Sequence, residues 1–304
     1  MPEGDSLARV EQRLRPLLLD TPLVRSDFRV PSMATLDLRG RAITEVAAYG
    51  KHLFLRVDGG DVIHSHLLME GRWLVLAPGE RWTVPAARVR AVLETEHAQL
   101  LGVQLGVLEA ITQPRREEMV AALGPDPIHA WDAELALALL RADPERLLGA
   151  VLLDQRVVAG IGNIFRSESL FVAGLSPFSR VGEHDDAALA RVLEVAAAQL
   201  RQNAQRASRR TAGPSWPERY WVYGRAGRPC PRAHGRVESA PLADPTLARG
   251  YVGGDSSDLR SVARDVFWCP RCQPGPVPPS LPDAAGSPRV RGTGVRPGRD
   301  RRAR

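Results

Sequence analysis

A chain of 304 residues, 44% hydrophobic and 25% charged, is long enough for about two domains with real cores and has the composition of a soluble globular protein. No apolar run approaches the roughly 20 residues of a membrane span, and the opening MPEGDSLARVEQRLR is charged, so neither a membrane protein nor a secretion signal is expected and a cytoplasmic setting is. The net charge of +6 says little about partners by itself, because the seven Arg and two Asp of residues 273–304 account for +5 of it.

Residues 6–19 place Leu7, Val10, Leu14, Leu17 and Leu18 on one face, which predicts an amphipathic helix with Asp5 as its N-cap. From about 22 to 112 the texture changes to short β-rich runs: LVRSDFRV, LDLRG, AITEVAAYG, HLFLRV, DVIHSH, RWLVL, RVRAVLE and GVLEAI. Gly-Gly, Pro-Gly and Asp-Gly turns separate them, a spacing that predicts an antiparallel sandwich or barrel, closed by LGPDPI at 123–128. From 131 to about 207 the pattern is helical, with WDAELALALLRA, PERLLGAVLLDQ, NIFRSESLFVAG and DDAALARVLEVAAAQLRQNAQRA. The two glycines of VVAGIGN break it sharply and predict a helix–two-turn–helix arrangement. Residues 221–272 read as a β-hairpin carrying metal ligands. After Pro274 the chain is Pro, Gly and Arg with almost no large apolar residues, and disorder is expected.

Two scarcities point to chemistry. Forty Arg accompany a single Lys, at position 51. Arg stays protonated at any accessible pH, whereas a desolvated Lys amine can shed its proton, so a lone Lys suggests a task Arg cannot perform; chance survival of one surface Lys is the plain alternative. The three Cys, at 230, 269 and 272, share one 43-residue stretch, which in a cytosolic chain reads as metal binding rather than disulfide. Residues 201–240 hold nine Arg against two Glu, interleaved with Trp216, Tyr220, Trp221 and Tyr223, a pattern that suits a phosphate backbone or, equally, a solvated basic face.

Pro2 is unusual in another way. Removal of the initiator Met would leave a secondary amine with a pKa near 8, about two units below Lys, partly neutral and nucleophilic at pH 7. Such an amine can attack the sugar C1′ of a damaged nucleotide and form an iminium, with Glu3 adjacent to handle protons. An inert processed terminus fits the same three letters. The turn Gly160–Ile161–Gly162 exposes backbone N–H groups at a helix start, and the Asn163 amide there can add a donor for phosphate or act as a simple N-cap.

MPEGD at the start, YGKHLFL at 49–55, HSHLLMEGRW at 64–73, LGPDPI, LLDQRVVAGIGNIFRSESLFVAG at 152–174, WVYGRAGRPC at 221–230 and RDVFWCPRCQ at 264–273 occur in this order. Together they resemble the formamidopyrimidine-DNA glycosylase / endonuclease VIII (Fpg/Nei) family over roughly residues 1–273, and MPEG resembles its endonuclease VIII branch of actinobacterial type. The resemblance implies an α+β fold. An N-terminal antiparallel β-sandwich with an N-terminal helix is the catalytic domain (1–128). A helix–two-turn–helix DNA-binding domain (129–220) follows, then a zinc-finger-like hairpin (221–273) and a disordered Pro/Arg-rich tail (274–304).

The resemblance further implies a bifunctional DNA glycosylase and AP lyase of base excision repair. It would act as a monomer on damaged double-stranded DNA, in the cytoplasm at the nucleoid. Pro2 matches the Schiff-base nucleophile, Glu3 the general acid/base, Lys51 the β-elimination lysine and Arg264 the hairpin arginine that assists δ-elimination. Leu68 and Met69 match the wedge that fills the gap left by an everted base, although unaided Met69 reads as a core residue. Asn163 matches a phosphate-gripping amide. Glu168 falls where some relatives approach the damaged base, with no role assigned to it.

The family's paired C-x2-C pattern is irregular here, with Ala233 at a usual Cys position and His234 beside it. One structural Zn2+ on Cys230, His234, Cys269 and Cys272 is implied, a metal-free hairpin being the alternative. Oxidised-purine members carry an Arg and a Phe on a loop of the first domain, and LLGVQLGVLEAI at 100–111 contains neither. Oxidised pyrimidines are therefore the expected bases. An oxidised-purine enzyme and a non-catalytic lesion-binding protein on the same fold are the rivals.

Overall fold

The structure, a computed structural model, describes residues 2–243, 263–276 and 278; beyond those few positions, the disorder expected after 274 lies outside the described residues, as does the middle of the expected hairpin. The chain opens with α1 (Gly4–Leu18), whose Leu7, Leu14 and Leu18 are buried. The helix starts earlier than expected, with Glu3 at the N-cap and Asp5 inside the first turn. Asp5 cannot cap because its buried carboxylate is taken by Arg9 at 2.9 Å and by Arg209 Nε at 2.8 Å.

Eight strands follow: β1 (Arg25–Phe28), β2 (Ile43–Tyr49), β3 (His52–Val57), β4 (Asp61–His66), β5 (Arg72–Leu76), β6 (Val89–Glu94), β7 (Gln99–Val103) and β8 (Val107–Thr112). They form two antiparallel four-stranded sheets, ordered β1-β6-β7-β5 and β2-β3-β4-β8. Alternation along each strand sends Leu53, Leu55, Val57 and Ile63 of one sheet against Trp73, Ala91, Leu93 and Leu100 of the other, with the leucines of α1 completing the core. This is the expected sandwich. LDLRG, however, forms no strand: Leu36 N bonds back to Met33 O and Gly40 turns the chain at φ +78°. The 100–111 stretch is not a long loop either, but β7 and β8 joined by a three-residue turn. A polar helix, α2 (Gln113–Ala121), starts where Thr112 accepts from Arg115 N.

The second half holds α3 (Ala133–Arg141), α4 (Leu148–Val151), α5 (Asn163–Ala173) and α6 (Asp186–Ala204) around Leu140, Leu148, Ile161, Phe165, Leu189, Leu193 and Leu200. PERLLGAVLLDQ yields only the short α4, because Leu148 N and Gly149 N bond across to Ser179 O and Pro177 O. β9 (Glu238–Leu242) and β10 (Arg264–Trp268) pair antiparallel and bury Leu242, Val266 and Trp268 against Ala150 and Phe178. The halves meet where Gly4 N donates to Gly160 O at 2.9 Å. A Cβ on Gly4 would lie 3.0 Å from Gly160 Cα, and Gly160 itself has φ +90°, so glycine is required on both sides of the joint.

Candidate active site at the junction of the two halves

Pro2 is half-buried at the entrance to α1, and Glu3 beside it is fully buried. The Glu3 carboxylate crosses the junction and accepts from Gly162 N at 3.0 Å, Ile164 N at 2.8 Å and Phe165 N at 3.3 Å. It thus occupies the N-terminus of α5, where unsatisfied N–H groups and the helix dipole favour an anion. A Cβ on Gly162 would fall 2.4 Å from Glu3 Cδ, which explains the second glycine of GIG. The expectation that these N–H groups are open to phosphate is corrected: Glu3 holds them.

Lys51 sits in the Gly50–Lys51 turn between β2 and β3, with Gly50 at φ +56°. Its Nζ donates to Ile161 O at 2.7 Å, one residue from the group that binds Glu3. Burial pulls the amine down to about 8; the Glu3 charge opposes this, and Arg209 and Arg166 add to it. Glu3 and Lys51 therefore bind neighbouring residues of the turn that leads into α5, with Pro2 next to Glu3 in the chain.

Asn163 is the first residue of α5 rather than its cap, and Gly162 is the cap. Its Nδ2 donates to Asp265 O at 2.8 Å and its Oδ1 accepts from Arg166, a buried residue that sequence reasoning passed over. Arg166 also reaches Arg264 O at 3.1 Å, and Phe267 N reaches Ser167 Oγ at 3.3 Å, so β10 is bound to the first turns of α5 and brings Arg264 to the site. Glu168 is fully buried and accepts from Trp221, Val222 and Tyr223 N, each at 2.8 Å, and from Thr211. It organises the aromatic segment and is closed to any base.

Leu68 and Met69 are 37% and 55% exposed, so Met69 is no core residue. Leu68 adopts φ +49°, its N–H donates to His66 Nδ1 at 2.9 Å, and its side chain lies on Gly106, where a Cβ would come within 2.3 Å. Around Lys51 stands a histidine group that went unremarked in the sequence: His52 Nδ1 is 2.9 Å from His64 Nε2, and His64 Nδ1 is 2.8 Å from Glu109 Oε1. Burial, then the neighbouring His66, His64 and Lys51, hold His52 down to about 3, so it is neutral. The alternation in KH and HSH across paired strands was the available signal.

Cys230, Cys269 and Cys272 place their sulfurs within 4.8 Å of one another, a group that could hold a metal ion. Tetrahedral zinc with sulfur at about 2.3 Å sets sulfurs about 3.8 Å apart, which suits this spacing. Burial and the adjacent sulfurs of Cys230 and Cys269 push Cys272 up to about 12, the repulsion a dication would relieve. His234 Nδ1 lies 3.2 Å from Cys272 Sγ, carried there by a turn with Ala233 at φ +58°. The Arg cluster at 201–240 is partly framework: Arg209 binds Asp5, while Arg210, Arg225, Arg232 and Arg236 donate to backbone carbonyls.

Two family models match the chain: the formamidopyrimidine-DNA glycosylase N-terminal domain over residues 1–104 and its H2TH domain over 123–212. A probable endonuclease 8 2 of Streptomyces coelicolor is 43% identical, over 91% of this chain and 96% of its own. The DNA-(apurinic or apyrimidinic site) lyase Nei2 of Mycolicibacterium smegmatis is 41% identical, over 90% and 99%. The solved Lactococcus lactis formamidopyrimidine-DNA glycosylase bound to AP-site DNA superposes with a TM-score of 0.71 at 19% identity, covering 90% of this chain and all of the other. In the described residues no helix is long and apolar enough to cross a membrane. The chain belongs to the formamidopyrimidine-DNA glycosylase / endonuclease VIII family.

Proposed function

We propose that the protein is a bifunctional DNA glycosylase and AP lyase of base excision repair that removes oxidised bases, pyrimidines preferred, and cuts the strand by β,δ-elimination. The observation that carries this reading is the meeting of Lys51 and Glu3, the residue next to Pro2 in the chain, at the Ile161–Gly162 turn that leads into α5. With Met1 removed, the Pro2 nitrogen displaces the base at C1′ of an everted nucleotide, the base leaving with its electron pair and a proton. The proton of the attacking amine then passes to O4′, the C1′–O4′ bond breaks, and an iminium to the opened sugar remains. Glu3, pinned by three N–H donors, stands beside Pro2 to take and return the proton of the attacking amine. Lys51, partly neutral near pH 8, removes the C2′ proton, and the bond to the 3′ oxygen breaks. Arg264 assists the δ step, leaving a one-nucleotide gap flanked by phosphates.

Residues 1–128 supply the chemistry and 129–220 the DNA grip. Leu68 and Met69 wedge the duplex, and Asn163 and the hairpin of 221–273 contact the phosphates around the lesion. Cys230, His234, Cys269 and Cys272 would hold one structural zinc, which shapes the hairpin and takes no part in the reaction. The protein works as a monomer at the nucleoid, on damaged duplex. The pyrimidine preference rests on the short 104–106 turn, which offers neither Arg nor Phe.

Borohydride reduction on a duplex with one abasic site, followed by mass spectrometry, tests the reading. A covalent adduct on Pro2 is expected. A correctly folded protein with an unblocked Pro2 and no adduct overturns it in favour of a non-catalytic binder. Faster excision of 8-oxoguanine than of thymine glycol overturns the base preference alone.

A further inference from the structure

His129 lies in the connection between the sandwich and α3. Its Nε2 is 2.8 Å from Glu11 Oε2 of α1, and its Nδ1 is 3.0 Å from Asp126 Oδ2. A carboxylate oxygen only accepts, so both ring nitrogens donate and the ring is an imidazolium. Burial works against that charge, but the bonds to Asp126 and Glu11 push His129 up to about 9. The other charged and titratable groups around it are few. Arg15 of α1 also binds Glu11, Tyr49 of β2 donates to Gly124 O at 3.0 Å, and Arg201 of α6 donates to Pro127 O at 2.8 Å.

The same two oxygens hold the end of the hairpin that carries Lys51. Glu11 Oε2 accepts from Ala48 N at 3.2 Å and Asp126 Oδ2 from Gly50 N at 2.7 Å. Gly50 is left-handed at φ +56°, and a Cβ there would sit 3.0 Å from Ala159 Cβ, so its turn is gripped from both halves. Without the imidazolium, the two carboxylates lose the group that bridges them; among the described residues Arg15 is the other cation bound to Glu11, and it is shared with Val46 O.

We propose that His129 is a positioning residue for Lys51: its charge holds Glu11 and Asp126 in the arrangement that fixes the Gly50 turn, and through that turn it places the Lys51 amine for strand cleavage. The proposal rests on the reading of Lys51 as the lysine of β-elimination. His129 touches no substrate and acts only through the two carboxylates. Its effect is therefore confined to the step Lys51 performs.

The test is single-turnover elimination on a duplex with a preformed abasic site, for wild type, His129→Gln, Lys51→Gln and the double variant. His129→Gln is expected to slow elimination about 10- to 100-fold, the scale on which a misplaced reacting group acts, with little change in the borohydride-trapped yield at saturating DNA. In the Lys51→Gln background the same substitution should do nothing more, because the two act as one unit. If Lys51→Gln alone eliminates at the wild-type rate, the reading of Lys51 fails. If Lys51→Gln is slow while His129→Gln lowers both backgrounds by an equal factor, or changes neither, positioning is overturned.

Should His129→Gln not fold, amide hydrogen exchange of the wild type decides. Protection factors at Ala48 and Gly50 should fall between about pH 7 and about pH 10 while that of Leu55 holds, as the imidazolium is lost. Unchanged protection at Gly50 rejects the proposal.

Discussion

Lys51 shows at the scale of one residue why an arginine-rich chain keeps a lysine. The amine fits against Ile161 O and, held to about 8 by burial, is neutral in a useful fraction of molecules. A guanidinium there would stay charged and project five donors into a space that offers one carbonyl. Lys51→Arg should therefore retain the borohydride-trappable Schiff base and lose elimination by about 100-fold, the lower bound of what a placed proton-transfer group contributes. In wild type the elimination rate should rise with pH up to about 8, because the active form is the unprotonated amine, and fall again above about 9, where the His129 charge that places it is lost. A rate that falls over the lower range would exclude Lys51 as the base. Pro2, Glu3 and Lys51 were all legible as residues, through the start motif and the scarcity of lysine. What Glu3 binds was not, since its donors lie about 160 positions away, a pairing that no local pattern encodes.

At the scale of elements, legibility followed how each segment meets its surroundings. β3 sends Leu53, Leu55 and Val57 to the core face, and the bounds of β3, β4 and β5 match the runs read from sequence. β7 escaped notice because QLLGV is buried on both faces and shows no alternation. α2 escaped because it buries no residue and is specified by a Thr cap and a first-turn proline. LDLRG alternates like a strand but has no partner; its Asp37 accepts from Arg39 N and closes a turn instead. The hairpin was readable from its cysteines, and His234, expected beside them as the fourth ligand, lies against Cys272. Purified protein should carry one zinc per chain by elemental analysis, and His234→Ala, which removes a ligand, should weaken metal affinity by more than the about 100-fold that loss of a supporting partner costs. Because β10 is bound to Asn163 and Arg166, stripping the metal should weaken DNA binding while the sandwich melts as before. A wild type without metal that binds DNA fully would reduce the three thiols to packing groups.

For the whole molecule, the junction between the halves is unusually polar: Glu3 on the N-terminus of α5, Asp5 with Arg209, and the Glu11–His129–Asp126 bridge all cross it. Each group is satisfied only when the halves are in register, so the joint is specific rather than greasy, and it should respond to pH. His129 has an ordinary pKa of 6.5 when unfolded and about 9 when folded. The folded state therefore binds the proton more tightly. Its contribution is complete below about pH 6.5 and is lost as pH rises through about 9. A shift of that size corresponds to about 1 to 3 kcal/mol once the partial exposure of the ring is allowed for. Denaturant unfolding of wild type and His129→Gln should thus differ most near pH 6 and converge above about pH 9. A stability gap that stays constant across this range would mean that His129 packs without bridging, and that the register of the halves is set by the Glu3, Asp5 and glycine contacts.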